Sequence, residues 1–204
     1  MPRTELRLPR LEVDATTGLM RGVAQTASPN FDSRPPGAGL DLIVVHGISL
    51  PPGGFGGPWI DRLFTNTLST DAHPYFATVA ALRVSAHLLI RRSGDLTQYV
   101  KFTDRAWHAG QSSYGGRAAC NDYSVGIELE GTDTTPYEDA QYLVLANAVA
   151  ALCAAYASLS PDRLVGHSDI APGRKTDPGP AFDWPRVRRL IAMACAARPV
   201  QLAP

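Results

Sequence analysis

Near the middle of the chain, seven residues alternate without a break. In Ser124–Glu130, Val125, Ile127 and Leu129 fall on one side of an extended backbone, while Gly126, Glu128 and Glu130 fall on the other. A period of two marks a β-strand. The stretch Asp41-Leu-Ile-Val-Val-His46 is instead continuously apolar and short, which predicts a strand buried on both faces that ends in a histidine. Arg163 to His167 repeats that pattern on a smaller scale. Ser85 to Val100 predicts a β-hairpin with its turn at Ser93-Gly94-Asp95. Helical patterns cover Trp59 to Leu68, Glu138 to Leu159 and Trp184 to Ala197. The second of these is opened by Pro136 and by early acids that suit the helix dipole. Leu50 to Pro58 and the stretch from Ser168 to Pro180 are loops by their Pro and Gly content. No repeat and no linker divides the chain. The expectation is an α/β fold: a domain over residues 41–197 with a central mixed β-sheet of about five or six strands flanked by helices, preceded by an N-terminal wrapping segment over residues 1–40.

Composition narrows the partners. The 204 residues and a hydrophobic share of 45% suit one domain with its own packed core. Nineteen basic and nineteen acidic residues cancel, so general attraction to nucleic acid or to an anionic membrane is not expected. The first twenty residues interleave charged and apolar positions and lack the apolar run of a secretory signal. Tyr142 to Leu159 is interrupted only by Asn147 and Ser158, but it follows Glu138 and Asp139 closely and has no Lys/Arg cluster at either end. It reads as a buried helix and not a membrane span. Cys120, Cys153 and Cys195 are widely spaced, odd in number and without a CxxC pair, which argues against a disulfide framework and for a reducing compartment, the cytoplasm by default. No obligate protein partner is implied.

Chemistry has to come from the histidines and carboxylates. Of His46, His73, His87, His108 and His167, two stand out, because His46 and His167 each close a short buried strand. The carboxyl edge of an α/β sheet is where rigid backbone meets ligand. Asp177 lies ten residues beyond His167, in a loop able to fold back over that edge. Two histidines and one carboxylate suffice for catalytic zinc, with the fourth position left open for water. Glu128, held on a strand, can act as the base such a site needs, although a solvated carboxylate on a polar strand face explains it equally well. Lys175, two residues before Asp177, could stabilise an oxyanion, or could simply pair with Asp169 or Asp183. The run Gly166-His167-Ser168-Asp169 groups serine-hydrolase residue types, but sequence neighbours on extended chain cannot converge as a triad, and no GxSxG elbow occurs. Cys120, in a loop beside Arg117, is a weak candidate nucleophile.

Five strings, VVHGISLPPGGFGGPWID, HPYF, LRVSAHLLIRR, AWHAGQSSYGGRAACNDYSVGIELEGTD and GHSDIAPGRKTDPGPAFDW, closely resemble the zinc amidases of the N-acetylmuramoyl-L-alanine amidase group, from about Ser33 to Trp184. The resemblance implies an N-acetylmuramoyl-L-alanine amidase-like fold, shared with peptidoglycan-recognition proteins. It also implies one catalytic Zn2+ on His46, His167 and Asp177, Glu128 as general base, and Lys175 as the transition-state-stabilising residue. Tyr75 matches a tyrosine lining the site, and Arg83, Trp107 and Arg117 fall where muramyl-peptide is contacted. The implied reaction is hydrolysis of the amide between (1,6-anhydro-)N-acetylmuramic acid and L-alanine of muropeptides. That reaction belongs to peptidoglycan recycling, with an influence on β-lactamase induction. His73, His87 and His108 match no ligand position. Gly47 departs from the asparagine of some close relatives, which bears on specificity. Two readings compete. A peptidoglycan-binding module without catalysis would lack at least one of the three ligands, and a structural zinc site would normally be closed by four, often cysteines.

Overall fold

The computed structural model describes residues 10–198, so the first nine residues of the N-terminal segment lie outside the described residues. In chain order the strands are β1 (Glu12–Asp14), β2 (Leu19–Arg21), β3 (Ala24–Gln25), β4 (Phe31–Ser33), β5 (Leu42–Ile48), β6 (Leu88–Ile90), β7 (Leu96–Gln98), β8 (Asp104–Ala106), β9 (Ser113–Tyr114), β10 (Arg117–Ala118), β11 (Ser124–Glu130) and β12 (Leu164–Gly166). Six of them form the central sheet, in the order β12-β5-β11-β6-β7-β3. β12, β5, β11 and β6 run parallel, β7 turns back antiparallel to β6, and β3 lies parallel to β7 at the edge. This is the mixed sheet that the sequence pattern predicts.

The helices are α1 (Trp59–Phe64), α2 (Phe76–Val79), α3 (Asp139–Ala155), α4 (His167–Ile170) and α5 (Trp184–Ala196). α3 is apolar nearly all round because it is enclosed between the sheet and α5. Its Tyr142, Leu145, Val149 and Leu152 share one core with Ile43 and Val45 of β5 and with Val125, Ile127 and Leu129 of β11. The helix opens on a reciprocal cap between Glu138 and Gln141. The Gln141 amide also donates to the carbonyls of Ile90 and Glu130, at 3.2 and 3.0 Å, which ties the helix start to the ends of β6 and β11. No helix among the described residues is long and apolar enough to cross a membrane.

Residues 12–34, part of the segment expected to wrap the surface, carry four short strands that join the rest of the molecule. β3 extends the sheet, β4 pairs with β8, and β1–β2 form a hairpin against α3. Strands of two or three residues are too short to carry a readable period. Arg34 then reaches inward, and its guanidinium donates to the carbonyls of Phe102, Asn121, Asp122 and Ser124 at 3.0–3.2 Å.

Candidate metal centre and cleft

The site lies at the carboxyl ends of the parallel strands. Glu128 of β11 is paired in register with His46 of β5, so the two side chains stand side by side on the same face. β12 is in register with β5 up to Gly166↔Val45, and His167 follows at once as the first residue of α4. The loop after α4 folds back, where the backbone N–H of Ser168 donates to the Asp177 carbonyl at 2.9 Å. That return brings the Asp177 carboxylate over the sheet edge.

His46, His167 and Asp177 converge. The two Nδ1 atoms are 2.9 Å apart, and they lie 3.4 and 3.1 Å from Asp177 Oδ2. The outer nitrogen of His167, Nε2, is 3.2 Å from the Ala109 carbonyl, which can only accept. Nε2 therefore carries the proton and Nδ1 presents a lone pair inward. The outer nitrogen of His46 faces His108 at 2.9 Å. Two imidazole nitrogens and a carboxylate oxygen at such distances can hold a cation among them. Their spacing approaches the ~3.3 Å between ligands that ~2.0–2.1 Å bonds to tetrahedral zinc require. Among the described residues no fourth His, Cys, Asp or Glu joins the group, so it fits a metal ion that keeps an open position. Burial lowers the His46 pKa to about 4 and so favours the neutral imidazole that a ligand must be.

Glu128 is not a solvated strand carboxylate. All seven residues of β11 are buried, and Glu128 Oε2 is enclosed without a hydrogen-bond partner among the described residues. Burial, reinforced by the charge of Asp177, pushes its pKa well above the ordinary value, while Lys175 pulls it back. Lys175 is exposed and lines, with Gly47, Leu50, Tyr75, Arg174 and Asp177, a cleft of about 650 Å³. At Gly47, a Cβ would run into the hydroxyl of Tyr137, which donates to the Pro178 carbonyl at 3.0 Å.

Tyr75 thus stands in the cleft with the metal group, and the other residues expected to contact substrate are more scattered. Arg83 is exposed and touches only neighbouring carbonyls. Trp107 is half-buried, and its indole N–H donates to Asp32 at 3.2 Å. Arg117 pairs with Asp41 and lies over the Tyr123 ring, at the amino end of β5 and away from the metal group. The serine-hydrolase arrangement is absent: Asp169 accepts from the Gly166 N–H at 2.7 Å as a helix cap, and His167 faces Asp177 instead. Cys120 is fully buried against Tyr123, and burial pushes the Cys153 thiol up to about 11, so neither is a nucleophile. Sequence reasoning set His108 aside, yet it lies against His46. The available signal was Gly126, a glycine inside an otherwise well-filled strand, which marks a close approach by another group.

The family model described as N-acetylmuramoyl-L-alanine amidase matches residues 35–180. The chain is 62% identical over 167 residues to the 1,6-anhydro-N-acetylmuramyl-L-alanine amidase AmpD of Salmonella typhimurium, covering 82% of this chain and 89% of that protein. It is 58% identical over 175 residues to the AmpD of Escherichia coli, covering 86% and 95%. Among solved structures, a crystal structure of a selenomethionine AmpD derivative superimposes with a TM-score of 0.84 at 57% identity, covering 88% of this chain and 98% of that one. The N-acetylmuramyl-L-alanine amidase AmiD from E. coli, in complex with the substrate anhydro-N-acetylmuramic acid-L-Ala-D-gamma-Glu-L-Lys, superimposes with a TM-score of 0.54 at 28% identity, covering 89% and 65%.

Proposed function

The chain belongs to the N-acetylmuramoyl-L-alanine amidase family, and from that premise we propose that it hydrolyses the amide joining the lactyl group of 1,6-anhydro-N-acetylmuramic acid to L-alanine in muropeptides, with a single zinc ion as cofactor. The observation that carries the reading is the open group of two imidazoles and one carboxylate beside a buried glutamate whose outer oxygen has no partner. Zinc held by His46, His167 and Asp177 would supply Lewis-acid activation of the scissile carbonyl and of water. Glu128 takes a proton from the attacking water and returns it to the leaving nitrogen. Its raised pKa suits a group that must hold a proton between the two events. Lys175, at the cleft wall, donates to the oxyanion that develops on the attacked carbonyl. Tyr75 offers its ring to the substrate from the same cleft.

Arg83, Trp107 and Arg117 are assigned to muropeptide contact on the family resemblance. Among the described residues Arg83 has no carboxylate partner that would have to be displaced, whereas Arg117 would have to exchange Asp41 for a stem-peptide carboxylate. The three unpaired cysteines suit a reducing compartment. In the cytoplasm the reaction would serve peptidoglycan recycling and, through it, β-lactamase induction. The test is mass spectrometry of an anhydro-muropeptide incubated with metal-loaded protein, with and without a chelator. Separate anhydromuramyl and peptide masses are expected only without chelator, and intact substrate in the metal-loaded sample overturns the proposal.

A further inference from the structure

Four of the five histidines are gathered in one place. His73 is exposed, whereas His46, His87, His108 and His167 are all buried close to one another. His108 makes two side-chain contacts that follow one direction. Its Nε2 is 3.1 Å from Ser124 Oγ, and that oxygen is 2.6 Å from the Cys120 carbonyl. Two oxygens approach so closely only with a hydrogen between them, and a carbonyl has none to give. The serine hydroxyl therefore donates to Cys120 and its lone pairs face His108. Nε2 of His108 must be the N–H, which leaves Nδ1 as an acceptor. That Nδ1 lies 2.9 Å from Nε2 of His46. His46 is thereby protonated on Nε2, and its Nδ1 turns an electron pair towards His167 and Asp177. The carbonyl of Cys120 dictates, three hydrogen bonds away, which nitrogen of His46 is bare.

The surroundings hold His108 where this chain needs it. The Asn121 side chain accepts from the backbone N–H groups of His108 and Ala109, at 3.1 and 2.8 Å. The imidazole lies flat against Gly126, where any Cβ would overlap the ring. Arg34 fixes the same segment through the carbonyls of Asn121, Asp122 and Ser124.

We infer that His108 is a positioning residue of the metal centre, which locks the ring and the tautomer of His46 so that Nδ1 is presented to the ion. The inference rests on the proposed reading of His46 as a ligand. Partners of this kind typically alter metal affinity by ~10–100-fold when removed.

The test compares His108→Phe, which keeps a ring but has no acceptor, with His108→Asn, whose amide oxygen can stand near the lost Nδ1. Zinc affinity is measured by competition with a chromophoric chelator, and thermal unfolding of the metal-free proteins is measured alongside. The expected result is ~10–100-fold weaker zinc binding for His108→Phe and substantial recovery for His108→Asn, with similar unfolding temperatures for the two variants. Wild-type affinity in His108→Phe, or equal losses in both variants, overturns the inference. His46→Ala separates the two levels. If it binds zinc as well as wild type, the ligand reading falls. If it loses zinc while His108→Phe does not, only the role of His108 falls. Should the variants fail to fold, 15N chemical shifts of the metal-free wild-type protein decide. A His46 ring protonated on Nε2 supports the inference, and one protonated on Nδ1 overturns it.

Discussion

On β11, Val125, Ile127 and Leu129 share an apolar core with α3, whereas on the reverse face Ser124 and Gly126 meet the His108 imidazole and Glu130 meets a backbone amide and a guanidinium. The two faces are equally dry. The first needs volume and shape, and tolerates any side chain that supplies both. The second needs each polar atom matched, since an unmatched one costs more in a dry place than in water. Ser124 and Glu130 are matched: the Glu130 carboxylate accepts from the Gly56 N–H at 2.5 Å and holds the glycine-rich loop beside the cleft. Glu128 Oε2 is the exception, enclosed without a hydrogen-bond partner among the described residues. Burial alone therefore does not mark a working residue. On this face the one unmatched atom belongs to the residue proposed as general base.

Substitutions on the two faces should separate activity from stability. Glu128→Gln removes the proposed proton acceptor while keeping the shape, and kcat is expected to fall by ~10²–10⁴ with zinc content and unfolding temperature retained. Steady-state hydrolysis of an anhydro-muropeptide checks this, and undiminished turnover would erase the distinction between the faces. Lys175→Met, at the rim of the same cleft, should lower kcat by ~10²–10³ as loss of one oxyanion donor does. A rise in KM with unchanged kcat would move Lys175 from the transition state to simple binding. The smallest effect belongs to the apolar face. Ile127→Val should cost ~0.5–1.5 kcal/mol in urea unfolding and leave kcat/KM unaltered. A matching loss of activity there would mean that the packing on α3 itself sets the geometry of the site.

Much of this arrangement is legible in the chain. Alternation placed Val125, Ile127 and Leu129 on the helix side, the unbroken apolar run of β5 announced burial on both faces, and two histidines at strand ends pointed to one sheet edge. What escaped reading depends on partners distant in sequence. The polar face of β11 looks the same in sequence whether water or His108 covers it. The strands of residues 12–33 are too short to show a period, and Arg34 is one arginine among many until its carbonyl partners are known. Arg117 matched a substrate-contact position, yet its partners Asp41 and Tyr123 could not be foreseen from the string around it.

The two imidazoles that face each other across the metal group are separated by 121 positions in the chain. Closing a flexible loop of that length costs ~4 kcal/mol in chain entropy before any contact is gained. In a zinc finger the ligands are near neighbours and folding waits for the metal. Here the pairing of β12 with β5 already brings the histidines together, so the metal-free protein should keep its secondary structure, and added zinc should raise its melting temperature by mass action and not by making a fold.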